Sequence, residues 1–377
     1  MPSDSVPRVN LYDLSRIALT EMITAGGELR YRADQLWEWL YAHKASSFDD
    51  MTTLPASLRH RLASETRLGG AEVAQELRSS DGETRKFLLK LPDGQLIETV
   101  LMEYSGMRRT ACISTQAGCA MGCVFCATGQ MGFARQLSVG EIVEQAVFIA
   151  RLLHTEGERL SNVVLMGMGE PFHNYDASVA AIRRLIDPDG MGIGQRHITI
   201  STVGLVPAIR RFANEDLQAR LAISLHAASD RERSALLPVN RRYPLADLLD
   251  AVREYIDKSG RRVTFEWALI AGKNDTAEQA NRLGKLLRGL PCHVNVIPLN
   301  PTGAYGGQPS DSAQVQRFIE IVESHGIPAT VRIRRGIDIN AGCGQLKTAV
   351  LNEHRANPEQ RGRPQRGRVR QGGRTRR

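Results

Sequence analysis

Long hydrophobic runs are missing from this 377-residue chain. No segment offers eighteen consecutive apolar residues, which argues against a membrane-spanning helix. The opening MPSDSVPRVNLYDLSR has no apolar core of the kind that export signals carry, so a cytoplasmic location with no membrane partner is expected. Cysteine is scarce at six residues. A chain of this length does not need disulfides to supplement its core, and in a reducing compartment clustered cysteines point to metal binding or catalysis. The body of the chain also lacks a strong charge of either sign. Nine arginines against two glutamates between Glu353 and Arg377 account for a surplus of seven in a net charge of +8. The body is therefore close to neutral, and its overall charge carries no argument for nucleic acid. Sustained apolar heptads are absent too, so a monomer is expected.

A hydrophobic content of 42% and a charged content of 24% describe a globular chain. Residues 1–80 read as a small helical module: LYDLSRIALTEMITAG and YRADQLWEWLYAHK have helical apolar spacing, and LPASLRHRLASET starts a third helix after Pro55. Trp37, Trp39 and Leu40 are expected in its core. Residues 81–104 read as a β-hairpin, RKFLLKL and QLIETVLMEY joined at Pro92-Asp93-Gly94. On the second strand Leu96, Glu98, Val100 and Met102 share one face. A carboxylate amid an apolar face is either an edge glutamate turned to water or a working acid. Residues 105–350 alternate between strand and helix. RTACIST, SNVVLMG, HITIST, ARLAISLHA, RVTFEWALI and HVNVIPLN each lead into a helical segment, the first of which carries a capping box at Ser138 and Glu141, and ATVRIRR is a further strand. Such a pattern implies parallel strands with right-handed crossovers, in an open α/β sheet or a barrel. Reactive residues in these folds collect beyond the carboxyl ends of the strands. Cys119, Gly169, Glu170, Ser201, His226 and Asn300 all fall there. Residues 351–377 are a low-complexity Arg/Gly/Gln tail expected to be disordered and suited to phosphate backbones through counterion release.

The distinctive stretch is GCAMGCVFCATGQMGF, which holds Cys119, Cys123 and Cys126 at spacing C-x3-C-x2-C. A closed structural zinc site takes four ligands. Three thiolates can hold three irons of a 4Fe–4S cubane and leave the fourth without a protein ligand. Zinc with Cys112 as a fourth ligand is the alternative, though the paired CxxC spacing of common zinc folds is lacking. The spacing, with Phe125 just before the last cysteine, is similar to that of radical S-adenosylmethionine enzymes. In that superfamily the open iron chelates the methionine portion of the cofactor, and a 5′-deoxyadenosyl radical is released. The segment VVLMGMGEP then holds the cofactor's amino group, here through Gly169 and Glu170.

Further motifs narrow the resemblance. ACISTQAGCAMGCVFCATGQMGF, GMGEP, ISTVGLVPAI, ISLHA, IPLNP and AGCGQL, in this order, closely resemble the dual-specificity radical S-adenosylmethionine RNA methyltransferases. The likeness spans about residues 10 to 350. It implies a partial (βα)6 radical barrel with an N-terminal helical accessory domain that binds RNA and a β-hairpin linker. It implies methylation of carbon 2 of an adenine in 23S ribosomal RNA and in transfer RNA, with a 4Fe–4S cluster, two S-adenosylmethionine molecules per turnover and an electron donor such as flavodoxin. By the same resemblance Cys343 takes a methyl from the first cofactor, and the radical from the second activates that methyl to join the base. Glu98 then accepts the ring proton, and Cys112 resolves the protein–RNA adduct through a transient disulfide with Cys343. Ser201, Ser224, Leu225, His226 and Asn300 match cofactor-binding positions. Cys292 reads as a small buried hydrophobe.

The segment RRGIDINAGCGQL departs from the family's TRG-type run, and Gly342 stands where alanine is common, which predicts a looser loop around Cys343. The tail after residue 352 lies outside the family pattern. A sister family that methylates carbon 8 shares these cysteines, although the N-terminal module and GQLIETV look more like the carbon-2 enzymes. A zinc-stabilised RNA-binding protein and a radical enzyme for small molecules are the other readings.

Overall fold

The computed structural model describes residues 8–302, 304–332, 339 and 344–348. Cys343, with Gly342, and the Arg-rich tail lie outside the described residues.

The chain begins with β1 (Val9–Asn10), three helices, α1 (Arg16–Ala25), α2 (Tyr31–Tyr41) and α3 (Ala56–Glu65), and β2 (Thr66–Arg67), which pairs in parallel with β1. The Ser15 side chain caps α1 by accepting the Ala18 N–H, one of the donors that a helix start leaves free. Leu19, Ile23, Leu36, Trp37, Leu40, Leu58 and Leu62 are buried in a core continuous with that of the rest of the molecule. Trp39 is only half-buried and donates its indole N–H to Thr53 at 2.7 Å.

Next come three antiparallel strands, β3 (Glu72–Arg78), β4 (Thr84–Lys90) and β5 (Leu96–Glu103), and then β6 (Arg109–Cys112). The hairpin between β4 and β5 turns where the sequence predicts it, with Gly94 at φ +84° and its N–H on the Leu91 carbonyl. β3 is an addition to the sequence reading. It is an edge strand with a bulge between Val73 and Gln75, and its mostly exposed, charge-bearing residues hide any strand periodicity while guarding the edge.

After β6 come a small antiparallel ribbon, β7 (Gln116–Gly118) with β8 (Phe133–Gln136), and a single helical turn between them, α4 (Ala127–Gln130). The alternating units follow: α5 (Val139–Thr155), β9 (Asn162–Leu165), α6 (Tyr175–Ile186), β10 (Ile198–Thr202), α7 (Val206–Phe212), β11 (Arg220–Ser224), α8 (Asp230–Leu236), α9 (Leu245–Ser259), β12 (Val263–Leu269), α10 (Ala277–Leu286), β13 (Cys292–Pro298), α11 (Ser312–Ser324) and β14 (Ala329–Val331). Among the described residues the main sheet has ten strands in the order β14-β13-β12-β11-β10-β9-β6-β5-β4-β3. From β6 to β14 every pairing is parallel and spatial order follows chain order. Right-handed crossovers that always step the same way place every helix on one face of the sheet. The opposite face is left as the inner wall of a partial (βα)6 barrel.

Strand alternation sorts the residues accordingly. Val263, Phe265, Trp267 and Leu269 of β12 are buried on the helix side, with the Trp267 ring 5.7 Å from Phe318 of α11. Thr264, Glu266 and Ala268 face inward, and Ala268 lines a cavity that Glu98 and Cys112 also line. The N-terminal module is bolted to the outside of this unit. Gly140 donates to Asp13 at 2.8 Å, Arg184 donates to the Tyr12 and Asp13 carbonyls, and Arg151 donates to the carbonyls of Lys44 and Ala45 at 2.9 Å each.

Candidate active site

The cysteine loop is framed by the β7–β8 ribbon. Gly118 sits at φ +90°, and a Cβ there would stand 2.1 Å from the Gly132 carbonyl oxygen. This close approach lets the Cys119 N–H reach the same oxygen at 2.8 Å. Cys119 and Cys123 are buried, while Cys126 heads α4 and is half-buried. Burial pushes the Cys119 thiol up to about 12 and Cys123 well above its usual value, and negative charge on neighbouring sulfur adds to both. Three thiolates cannot share this pocket without bound positive charge, so the donor set fits a metal centre. Among the described residues no three His, Cys, Asp or Glu side chains converge on one point where a single ion could sit. The same loop is tied to the barrel by the Val124 N–H on the Leu236 carbonyl at 3.1 Å and by the edge of Phe125 against His226, centroids 4.9 Å apart.

Beside the loop, the ends of β9 and β10 are joined through one carboxylate. Gly169 has φ +104°, and a Cβ on it would meet the Gln116 side chain at 2.6 Å. Glu170 accepts the N–H of Phe172 at 3.0 Å on Oε1 and that of Val203 at 2.8 Å on Oε2. Burial raises its pKa to about 7. Ser201 and Ser224 are half-buried at the ends of β10 and β11. Leu225 is fully buried, and its N–H is spent on the Glu266 carbonyl at 3.0 Å.

His226 adopts φ +58°. Its Nδ1 accepts the Ala268 N–H at 2.9 Å, and burial lowers its pKa to about 3. A neutral ring that accepts at Nδ1 carries its hydrogen on Nε2, which makes His226 a neutral donor in the wall of the cavity that Ala268 also lines.

That cavity, of about 340 Å³, is the meeting point of the predicted chemistry. Glu98, Cys112, Cys126, His226 and Asn300 all line it, together with Met166, Gly167, Arg332 and Gln345. Cys119, Cys123, Gly169, Glu170, Ser201, Ser224 and Leu225 are not among its lining residues. Glu98 is 2% exposed, so it is no edge glutamate turned to water. Its Oε2 lies 3.0 Å from the fully buried Lys86 Nζ and accepts the Gly344 N–H at 2.6 Å. Its Oε1 accepts the Lys347 N–H at 2.8 Å. The acid therefore caps the short helical turn that follows Cys343. Cys112 is a free thiol pushed up to about 11, chiefly by burial. The expected disulfide between Cys112 and Cys343 finds no support, because Cys112 is unbridged and Cys343 lies outside the described residues.

Lys86 and Arg233 were missed by sequence reasoning. A signal for Lys86 existed: the Pro92-Asp93-Gly94 turn fixes a register in which Lys86 pairs with Val100, on the same face as Glu98. Nothing in DRERSAL marks Arg233 as a buried cation.

Comparison with known proteins places this geometry. Residues 113–283 match the Radical SAM superfamily, and residues 9–68 match the ribosomal RNA large subunit methyltransferase N-terminal domain. The chain is 55% identical over 355 residues to dual-specificity RNA methyltransferase RlmN 1 of Myxococcus xanthus, covering 94% of this chain and 98% of that protein. The chain belongs to the RlmN family. A second member, a probable dual-specificity RNA methyltransferase RlmN of Chloroflexus aurantiacus, is 51% identical, with 89% of this chain and 92% of that protein covered. The crystal structure of a radical SAM methyltransferase from Sphaerobacter thermophilus superposes with a TM-score of 0.87 at 50% identity, over 89% of this chain and 98% of that one. Membership brings with it a 4Fe–4S cluster and S-adenosylmethionine as cofactors, in accord with the donor set. Among the described residues no helix is long and apolar enough to cross a membrane.

Proposed function

We propose that this enzyme methylates carbon 2 of a specific adenosine in 23S ribosomal RNA and of the adenosine next to the anticodon in transfer RNAs. The observation that carries this reading is the convergence of Glu98 and Cys112 on one cavity with Cys126, at the carboxyl ends of the parallel strands, in a chain of the RlmN family. Cys119, Cys123 and Cys126 would hold the cluster, and Glu170 would meet the cofactor's ammonium group with Gly169 beside it. The bound cluster and S-adenosylmethionine supply methyl groups and one-electron chemistry.

The remaining work falls to side chains of this chain. Cys343 is the nucleophile that receives a methyl group on sulfur and presents it to the base. Its sequence neighbour Gly344 is held by the Glu98 carboxylate, which lines the cavity. Glu98 is the acceptor for the proton that leaves carbon 2. To serve, it must exchange one of its backbone donors for the ring C–H. Cys112, in β6 on the cavity wall, attacks the Cys343 sulfur as a thiolate; a sulfur–sulfur bond forms, the bond from that sulfur to the transferred carbon breaks, and the carbon keeps the electron pair and takes up a proton, which frees the methylated base. His226 and Asn300 offer fixed polar groups to the cofactor, and Ser201, Ser224 and Leu225 complete its bed. We divide the chain into an RNA-binding helical domain (1–80), a hairpin linker (81–104), the catalytic core (105–350) and the tail (351–377), acting as a cytoplasmic monomer supplied by a flavodoxin-like donor.

The test is anaerobic reconstitution with iron and sulfide, then incubation with reductant, methyl-labelled S-adenosylmethionine and 23S ribosomal RNA or transfer RNA. The digested nucleosides should contain 2-methyladenosine, lost in the Cys119→Ala, Cys112→Ala and Cys343→Ala chains. Formation of 8-methyladenosine would overturn the regiochemistry, and a cluster-loaded protein that leaves RNA unmethylated would overturn the substrate.

A further inference from the structure

Arg233 of α8 is completely buried, yet among the described residues its guanidinium hydrogen-bonds only neutral oxygens. Its Nε donates to the Leu225 carbonyl at 3.2 Å, one terminal nitrogen to Asn240 Oδ1 at 2.9 Å, and the other to the Val203 and Ser224 carbonyls at 2.7 and 3.0 Å. The nearby acid Asp230 is engaged elsewhere. Its Oδ1 accepts from Asn240 Nδ2 at 2.9 Å and from the Leu245 N–H at 2.8 Å. Among the described residues no carboxylate forms an ion pair with Arg233. Burial lowers its pKa to about 10, which leaves it charged at neutral pH. Asp230 acts on it only as a nearby charge that raises its pKa, so the buried guanidinium has no hydrogen-bonded partner anion among the described residues.

The cysteine loop, which would carry the negative charge of the bound centre, packs against the C-terminal end of the same helix. The two segments are also physically joined: the Leu237 N–H bonds the Arg233 carbonyl at 2.7 Å, and the Val124 N–H bonds the neighbouring Leu236 carbonyl at 3.1 Å. Cys123, Leu236 and Leu237 share one small apolar cluster, so the space around both charges is dry. Coulombic effects are strong there and weakly screened by salt.

We infer that Arg233 is the built-in counter-charge of the iron–sulfur centre, holding its reduced state within reach of the electron donor while tying the ends of β10 and β11 to the cysteine loop. The inference rests on the cluster assignment. Adding one electron adds one negative charge to the centre, and a fixed buried cation favours the form with that charge. Arg233 does not ligate the metal and acts through its field, so it is a positioning residue.

The discriminating experiment is an EPR-monitored redox titration of the full-length, anaerobically reconstituted protein with mediators and dithionite, without S-adenosylmethionine, alongside iron and sulfide analysis. Arg233→Gln should shift the midpoint to more negative potential and lower the fraction reduced at a fixed dithionite level several-fold. Arg233→Lys, which keeps the charge but not the fork of hydrogen bonds, should stay near the parent value. So should Asn240→Ala, which removes a hydrogen bond and no charge. Cluster assembly in Arg233→Lys but not in Arg233→Gln would also support the inference. An unchanged midpoint in Arg233→Gln, equal shifts in the Gln and Lys chains, or loss of the cluster from both would overturn it. A parent protein that takes up no cluster would instead sink the cofactor assignment.

Discussion

A carboxylate that is 2% exposed and meets three donors is a different chemical object from a surface glutamate. The Lys86 ammonium supplies charge to Glu98, and the Gly344 and Lys347 N–H groups supply direction. Removing one partner of such a buried pair leaves the other in a dry environment, at a cost of about 3–5 kcal/mol. Glu98→Ala should therefore lower stability by roughly that amount, besides abolishing methylation. Replacing both partners by apolar residues of similar size, Lys86→Met with Glu98→Leu, should recover part of the loss, because Lys86 is no longer left as an isolated buried charge, while the buried Lys347 still loses the support of Glu98. Guanidinium denaturation midpoints of the two singly substituted chains and the double one give the coupling. A double substitution that merely adds the two single costs would show that the ion pair is not the unit described. Lys86 also shows a limit of sequence reading. The hairpin register was legible and put Lys86 on the Glu98 face, but a lysine in RKFLLKL reads as solvent-exposed until burial is seen.

Elements carry their own lesson about legibility. The strands β6, β9 to β13 and β14 could be read because a parallel strand packed under helices is rich in β-branched and leucine residues, as in SNVVLMG and RVTFEWALI. The six following helices could be read from amphipathic spacing, helped at α5 by the Ser138 and Glu141 capping box. The elements that escaped are short or polar: β7 is three residues long, α8 is seven, drawn from DRERSAL, and β3 is mostly exposed. Their form is set by tertiary contacts that no local pattern announces. The cysteine motif was legible, but the β7–β8 ribbon that frames it was not. Its weak point is Gly118, where the backbone is left-handed and a methyl group would strike the Gly132 carbonyl. Gly118→Ala should open the ribbon and cut the iron bound after reconstitution several-fold. The far-UV circular dichroism should hold, because the main sheet and its helices make no use of that turn. Parent-level iron in this chain would mean that the ribbon does not shape the cluster loop.

At the scale of the whole molecule, charge and catalysis are kept apart. The barrel and the N-terminal module share a continuous core and nearly cancel in charge, whereas the last 25 residues hold a surplus of seven positive charges. A near-neutral body gives the cavity little long-range pull on a polyanion. The arginine tail has that pull, and it can bind phosphates without reading sequence. Each phosphate contact it makes steepens the dependence of log affinity on log salt by about 0.7 to 0.9. Truncation after residue 350 should flatten that slope by several units and weaken RNA binding most at low salt. Cleavage of S-adenosylmethionine in the absence of RNA, which depends on the barrel alone, should not change. The comparison needs RNA-binding isotherms for both chains over a range of potassium chloride, with 5′-deoxyadenosine release as the control. Parallel salt dependences would deny the tail any contact with RNA. A fall in 5′-deoxyadenosine release would place the tail against the barrel, where its charge would act on the cavity and not on the substrate's backbone.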